Sequence, residues 1–344
     1  MLTFFCSEAH FFRKKLCLFL LIGCIGHLNL AAQATDFRAR DPLVGYQMDS
    51  WLRPADSLNK GRFWTAAGVG AGLYLGAAYT LYNTWYKQYE LGPFTAFNDW
   101  QEWAQMDKAG HFFSAYFQSR LAFSGACWTG MSRPAARWTA IGVSTIIQGT
   151  IETFDGFSSQ WGFSWTDIAA NTIGTSFFIA QDILWQEQRI LVKVGNNLRD
   201  HPDFPLTVDG VSSNLGDISR ERFGDYPFER FLKDYNNQSI WVSANLRSFF
   251  PNSGLPQWLN LAVGYGAENV YGAYGNSWEV GDIRFRYPET RYRQWFLSPD
   301  IYLSRIPTRK RWIRMVFGIL DILKVPAPTL ELSRGKLQWH WLMW

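Results

Sequence analysis

The chain has 344 residues, 47% of them hydrophobic and 17% aromatic, which excludes a disordered polymer and leaves room for one large domain or two ordinary ones. Charged residues make up only 18%, against roughly 25% in an average soluble protein, a balance that points toward a membrane or its surface. The formal charge of +4 is too small and too scattered for a nucleic-acid footprint, and a mean hydropathy of -0.15 is low for a chain built mostly of spanning helices.

At the start of the chain, Arg13, Lys14 and Lys15 precede an apolar run from Leu16 to Leu30, and Ala32-Gln33-Ala34 supplies a small-residue cleavage site. Residues 1–34 therefore predict a secretory signal peptide cleaved after Ala34, followed by an N-terminal extension over 35–60. A second reading takes Leu21-Ile22-Gly23-Cys24 as a lipoprotein signal in which Cys24 is acylated and becomes the first mature residue. Cleavage after Ala34 leaves Cys127 as the last cysteine, so no internal disulfide forms, and its apolar surroundings predict a buried, inert thiol.

Residues 61–195 read as a bundle of about four apolar helices. The first, 63–86, carries no charge and is long enough to span a bilayer, but Gly68, Gly70, Gly72 and Gly76 weaken it and invite a close helix neighbour. The next three, near 107–129, 134–154 and 166–188, interrupt apolar sequence with His111, Arg120, Gln148, Glu152, Asp167, Asn171 and Gln181. Each is marginal as a span, which favours a compact bundle touching a membrane. Residues 196–235 read as linker and loop.

From 236 to 344 the period shifts toward two, with strands expected at 239–246, 258–265, 294–303 and 336–344. A short amphipathic helix at 309–323 suits either a membrane interface or the back of the sheet. The alternating end Trp339-His340-Trp341-Leu342-Met343-Trp344 looks like the last strand of an outer-membrane barrel. Four to six strands are too few to close one. The fold class is therefore α+β, a helical bundle followed by a mainly antiparallel β region forming a small sheet or partial barrel.

The polar residues of the helical half carry the chemistry. Asp107 and His111 lie four apart on one helical face, Glu152 and Asp155 three apart near the end of the third helix, and Asp167 and Asn171 four apart at the start of the fourth. Charges among apolar helices are costly unless paired, so Lys108 or Arg120 is expected to meet Glu152 or Asp167. The order Asp107-Lys108-Ala109-Gly110-His111, then Glu152 and Asp155, then Ser164-Trp165-Thr166-Asp167 through Asn171 and Gly174 resembles the YfiM-like family of uncharacterised predicted periplasmic lipoproteins. More distantly it is similar to the VanZ-like membrane proteins. The resemblance covers roughly residues 100–185, and long versions of this kind look like envelope proteins of Bacteroidetes-type bacteria. It implies an exported envelope protein and brings no reaction with it.

Two readings follow. In the first, Asp107, Lys108, His111, Glu152, Asp155, Asp167 and Asn171 form a buried network that fixes helix register in a structural, binding or assembly protein of the outer membrane or periplasmic face. In the second, His111, Glu152, Asp155 and Asp167 are catalytic groups of a membrane-proximal hydrolase or metal-dependent enzyme acting on a lipid or cell-wall precursor, with a divalent metal as the one conceivable cofactor. No zincin motif, nucleophile elbow or P-loop supports the second, so the balance leans away from an enzyme. Membrane lipid or other envelope proteins are the expected partners, nucleic acid is not, and the oligomeric state is left open.

Overall fold

The computed structural model describes residues 54–87, 91–159 and 161–344. The expected signal peptide, Cys24 and most of the 35–60 extension lie outside these residues.

Helix α1 (Lys60–Leu81) starts at Asn59, whose side chain accepts a hydrogen bond from the Arg62 N–H, and runs on into one π turn, Tyr82–Tyr86. None of the residues of α1 is buried. No described atom lies within 4 Å of a Cβ built on Gly68, Gly70, Gly72 or Gly76, so the close helix neighbour expected at these glycines is not found there. The helical half continues with β1 (Ala96–Phe97), α2 (Met106–Trp128), α3 (Arg133–Phe157), β2 (Phe163–Ser164) and α4 (Trp165–Trp185). Pro134 sits in the first turn of α3, where its missing N–H costs nothing. Gly174 lets α4 lie directly on α2, since a Cβ there would collide with the Phe112 carbonyl oxygen.

Past α4 the chain enters β3 (Ile190–Asn196), a hairpin of β4 (Pro205–Val208) and β5 (Val211–Asn214), and the short helices α5 (Leu215–Phe223) and α6 (Pro227–Lys233). There follow β6 (Gln238–Asn245), α7 (Leu246–Phe249), β7 (Leu259–Glu268), a hairpin of β8 (Ser277–Val280) and β9 (Ile283–Arg286), and β10 (Tyr292–Ile301). Helix α8 (Arg311–Leu320), β11 (Ala327–Ser333) and β12 (Lys336–Met343) complete the chain. The main sheet has six antiparallel strands in the order β12-β11-β10-β7-β6-β3, and it is open, not a closed barrel.

Two expectations need correction. The stretch 196–235 is not plain linker: Asp209 and Gly210 take φ of 49° and 78°, the left-handed pair of a two-residue hairpin turn, and their flanking residues pair as β4 and β5. The helical half also stops short of 195, because β3 belongs to the sheet. Its free edge is covered by the chain after α8, where the Val194 N–H donates to Ile322 O at 2.8 Å and the Lys324 N–H to Val194 O at 2.9 Å.

In both halves part of the buried face is polar and part of the exposed face is apolar, beside ordinary apolar clusters such as Trp241, Ala262, Phe296 and Met343 within the sheet. Helix α3 buries Ala136, Ala140, Ser144, Gln148, Glu152 and Gly156, small and polar residues spaced by four, while Trp138, Val143 and Ile146 are exposed. In the sheet, Ser243, Asn245, Asn260, Ser298 and Asp300 are buried on the inner face. On the outer face a row crosses the strands in register, Val242, Val263, Leu297, Leu330 and Trp339, and four of these five are exposed. Part of that outer face is covered, where Val192, Val194 and Ile240 pack against Tyr116, Phe123 and Phe178 of the bundle. Among the described residues no helix is long and apolar enough to cross a membrane.

Candidate functional site

The helical half gathers the polar residues of α2, α3 and α4 around one lysine. Lys108 Nζ lies 2.5 Å from Asp99 Oδ2, 2.9 Å from Asp107 Oδ2 and 2.6 Å from Asp167 Oδ1. His111, one turn beyond Asp107, points its Nε2 at the remaining oxygens of the same two aspartates, 3.8 Å from Asp107 Oδ1 and 3.9 Å from Asp167 Oδ2. Its Nδ1 meets Asn171 Oδ1 at 3.1 Å and lies 3.7 Å from Glu152 Oε1. Asp155 stands slightly apart and accepts the Tyr86 hydroxyl at 2.6 Å. Arg120 does not join the cluster; it points the other way, 3.7 Å from Asp321.

Local structure fixes these positions. Ser164 caps α4 by accepting the Asp167 N–H at 3.1 Å, and the Ser164 N–H donates to Glu152 Oε2 at 3.2 Å, which ties the third helix to the start of the fourth. The entry to α2 is held in an unusual form: Trp103, Ala104 and Gln105 have φ of 48°, 53° and 63°, three consecutive non-glycine residues in the left-handed region. Each costs on the order of 1–2 kcal/mol. The sheet side holds them there, through the Trp103 N–H to Ala273 O at 2.8 Å, the Tyr265 hydroxyl on Ala104 O, and Arg293 Nε on Gln105 Oε1 at 3.1 Å. That left-handed turn sets where α2 begins, and so where Asp107 and Lys108 stand.

Burial and neighbouring charge divide the carboxylates into two kinds. Asp99 is held down at about 2, because hydrogen bonds from Lys108, Ser164 and Thr166 outweigh the cost of burial. For Asp107, burial is likewise outweighed, by His111 and Lys108, and its pKa falls. Burial pushes Glu152 up to about 8 and Asp155 up to about 6. Asp167 is raised by burial and then by the charge of Asp107. His111 is raised because Asp107, Asp167 and Glu152 outweigh its own burial.

Residues of the cluster line a cavity of about 710 Å³. Asp99, Asp107, His111, Asp155 and Asp167 line it on the polar side, while Leu73, Phe113, Ile151, Phe228, Leu232 and Ile240 supply apolar wall. Gln148 lines the same space, is only 2% exposed, and has no hydrogen-bond partner on either side-chain atom. Glu152 Oε1 and Asn171 Nδ2 are also buried without a hydrogen bond. Ligand atoms of Asp107, His111 and Asp167 all lie within 4.8 Å of one another, the geometry of a possible cation site.

Three participants were not legible as site residues: Asp99, Tyr86 and Tyr235, whose hydroxyl donates to Asp107 Oδ1 at 2.9 Å. Asp99 and Tyr235 sit in loops far from the helical spacing that flags the others, and only the fold brings them in. Cys127 is half-buried and its thiol is pushed up to about 11 by burial, as suits an inert side chain. His201 pairs with Asp234 at 2.9 Å and His340 with Glu331 at 2.7 Å, both away from the cluster.

No curated protein and no solved structure matches the chain. One family model does: the family described as "Predicted periplasmic lipoprotein (DUF2279)" matches residues 96–181, the stretch that holds Asp99, Asp107, Lys108, His111, Glu152, Asp155, Asp167 and Asn171, and its description fits an exported protein of the cell envelope.

Proposed function

We propose that the protein is a membrane-seated component of the cell envelope, held at the outer membrane, whose task is binding or assembly. The observation that carries this is the large exposed apolar face of each half, set against a buried face that is partly small and polar. Water would penalise such a surface at about 25 cal/mol per Å² of apolar area, whereas hydrocarbon would not. Exposed tryptophans mark it at Trp138 on α3, Trp312 on α8, and Trp339 and Trp341 on β12. The matching family's description supports the lipoprotein reading, with Cys24 as the acylated first residue, over cleavage after Ala34. The YfiM-like and VanZ-like resemblance belongs to the same proposal.

The test is to separate inner from outer membranes, wash with alkaline carbonate and determine the mature N-terminus by mass. Recovery in the carbonate-washed outer membrane is expected, with a mass giving either lipidated Cys24 or Thr35 as the start. A detergent-independent soluble monomer would overturn the proposal.

One observation favours the second reading, a membrane-proximal hydrolase working through His111, Glu152, Asp155 and Asp167. Glu152 and Asp155, raised to about 8 and about 6, are carboxyls poised to exchange protons near neutrality beside an apolar-walled cavity. Loss of turnover of a lipid-linked precursor in Glu152→Gln, with melting temperature maintained, would distinguish it from binding alone.

A further inference from the structure

We infer that Asp107, His111 and Asp167 form a binding site for one divalent transition-metal ion of the zinc or manganese type. The ligand atoms are Asp107 Oδ1, Asp167 Oδ2 and His111 Nε2. Nε2 stands 3.8 and 3.9 Å from the two oxygens, too far for hydrogen bonds. With ligand atoms of the three residues all within 4.8 Å of one another, a point equidistant from them lies about 2.0–2.5 Å from each, a span that includes the 2.0–2.2 Å of zinc–nitrogen and zinc–oxygen bonds.

The surroundings prepare each ligand. Asn171 Oδ1 can only accept, so the 3.1 Å contact places the hydrogen of a neutral His111 on Nδ1 and leaves the Nε2 lone pair facing the two carboxylates. Lys108 takes the other oxygen of each aspartate, Oδ2 of Asp107 and Oδ1 of Asp167, and Tyr235 donates to Asp107 Oδ1 at 2.9 Å. Such partners orient the two carboxylates.

Charge favours a cation: Asp99, Asp107 and Asp167 surround the single lysine Lys108, and a divalent ion beside them would balance carboxylate charge that Lys108 alone cannot when all three are ionised. One nitrogen with two carboxylate oxygens suits zinc or manganese better than calcium, which takes six to eight oxygens. An independent sign of a ligand is Gln148, 2% exposed, lining the same cavity with both polar atoms unpartnered. The remaining coordination positions face that cavity, where water or a ligand's oxygen would complete the shell.

The experiment uses the full-length protein in detergent, stripped with chelator and dialysed against Zn²⁺, then against Co²⁺ for its visible spectrum. One Zn²⁺ per chain is expected, with at least tenfold weaker binding in His111→Gln and Asp167→Asn and no change in His201→Gln. Should the cluster variants fail to fold, the wild type still decides. Bound Zn²⁺ should shield His111, but not His201 or His340, from diethyl pyrocarbonate in a peptide mass map. Absence of stoichiometric Zn²⁺, binding unaltered by His111→Gln, or a His111 equally modified with and without Zn²⁺ would each overturn the inference.

Discussion

The bundle and the sheet each bury a polar network, and the two differ in how fully their charges are answered. In the sheet, Asp300 is met by Lys193 at 2.8 Å and by the Ser243 hydroxyl at 2.6 Å, with Lys324 at 3.6 Å. Asn260 donates to Ser243 Oγ, Asn245 to Asn260 Oδ1, and Arg305 to Asn245 Oδ1, all within 3 Å. None of these side chains is left with an unpartnered buried atom. In the bundle five carboxylates face one lysine and one histidine, and Gln148, Glu152 and Asn171 keep buried atoms without hydrogen bonds. A network that closes on itself specifies a fold, whereas one with open valences beside a cavity is built to receive something.

The largest expected effect probes the closed network. Asp300→Ala strands two fully buried ammonium groups, and removing one partner of a buried ion pair costs about 3–5 kcal/mol. The corresponding cut in the bundle, His111→Gln, loses one side-chain hydrogen bond and relieves no charge pair closer than 3.7 Å, so it should cost no more than about 1.5 kcal/mol. Chemical denaturation of the two variants in detergent measures both. Equal losses would erase the distinction between a structural network and a site.

The next effect follows from Glu152. Its native value of about 8 lies above the ordinary carboxyl value near 4.5, so the folded state keeps a proton that the unfolded state releases. The stability this proton brings is full below pH 4.5 and is lost as pH rises through 8. The folded protein should therefore weaken progressively across that window. Glu152→Gln, which retains an oxygen for the Ser164 N–H, should flatten the slope and raise the melting temperature at pH 8 relative to wild type. An unchanged slope would mean that Glu152 is ionised in the folded protein.

Sequence spacing exposed the helical side of this comparison and hid most of the sheet side. The i, i+4 pairs Asp107/His111 and Asp167/Asn171 are visible because helical period brings them to one face, and α2, α3 and α4 begin within a residue of where that period begins. Asp99, Tyr86 and Tyr235 reach the cluster only through tertiary folding, which no local period records. Strand β3 is hard to tell from a buried helix segment by period, because it is buried on both faces and so does not alternate. The β4–β5 hairpin carries its signal in Asp209-Gly210, set within a stretch whose polar composition resembles linker. The exposed apolar faces were legible only as too little charge and too many aromatic residues; which face held which had to come from the fold.

The smallest change in stability should accompany the clearest change in partitioning. Trp339 and Trp341 project from the outer face of β12, 55% and 79% exposed, and their rings meet edge to face at 5.8 Å. Replacing both by serine removes no core contact, so the folded protein in detergent should keep its stability within about 0.5 kcal/mol. If that face lies against lipid, the pair loses the burial of two large aromatic rings, each worth about 1.5–3 kcal/mol. Partitioning of the Trp339→Ser/Trp341→Ser protein into phospholipid vesicles should then fall at least tenfold. If the face instead meets a protein partner, vesicle partitioning stays constant while co-purification of that partner is lost. A variant unaltered in both respects would mean that β12 merely shows its tryptophans to water, and the exposed apolar face of the sheet would lose its functional meaning.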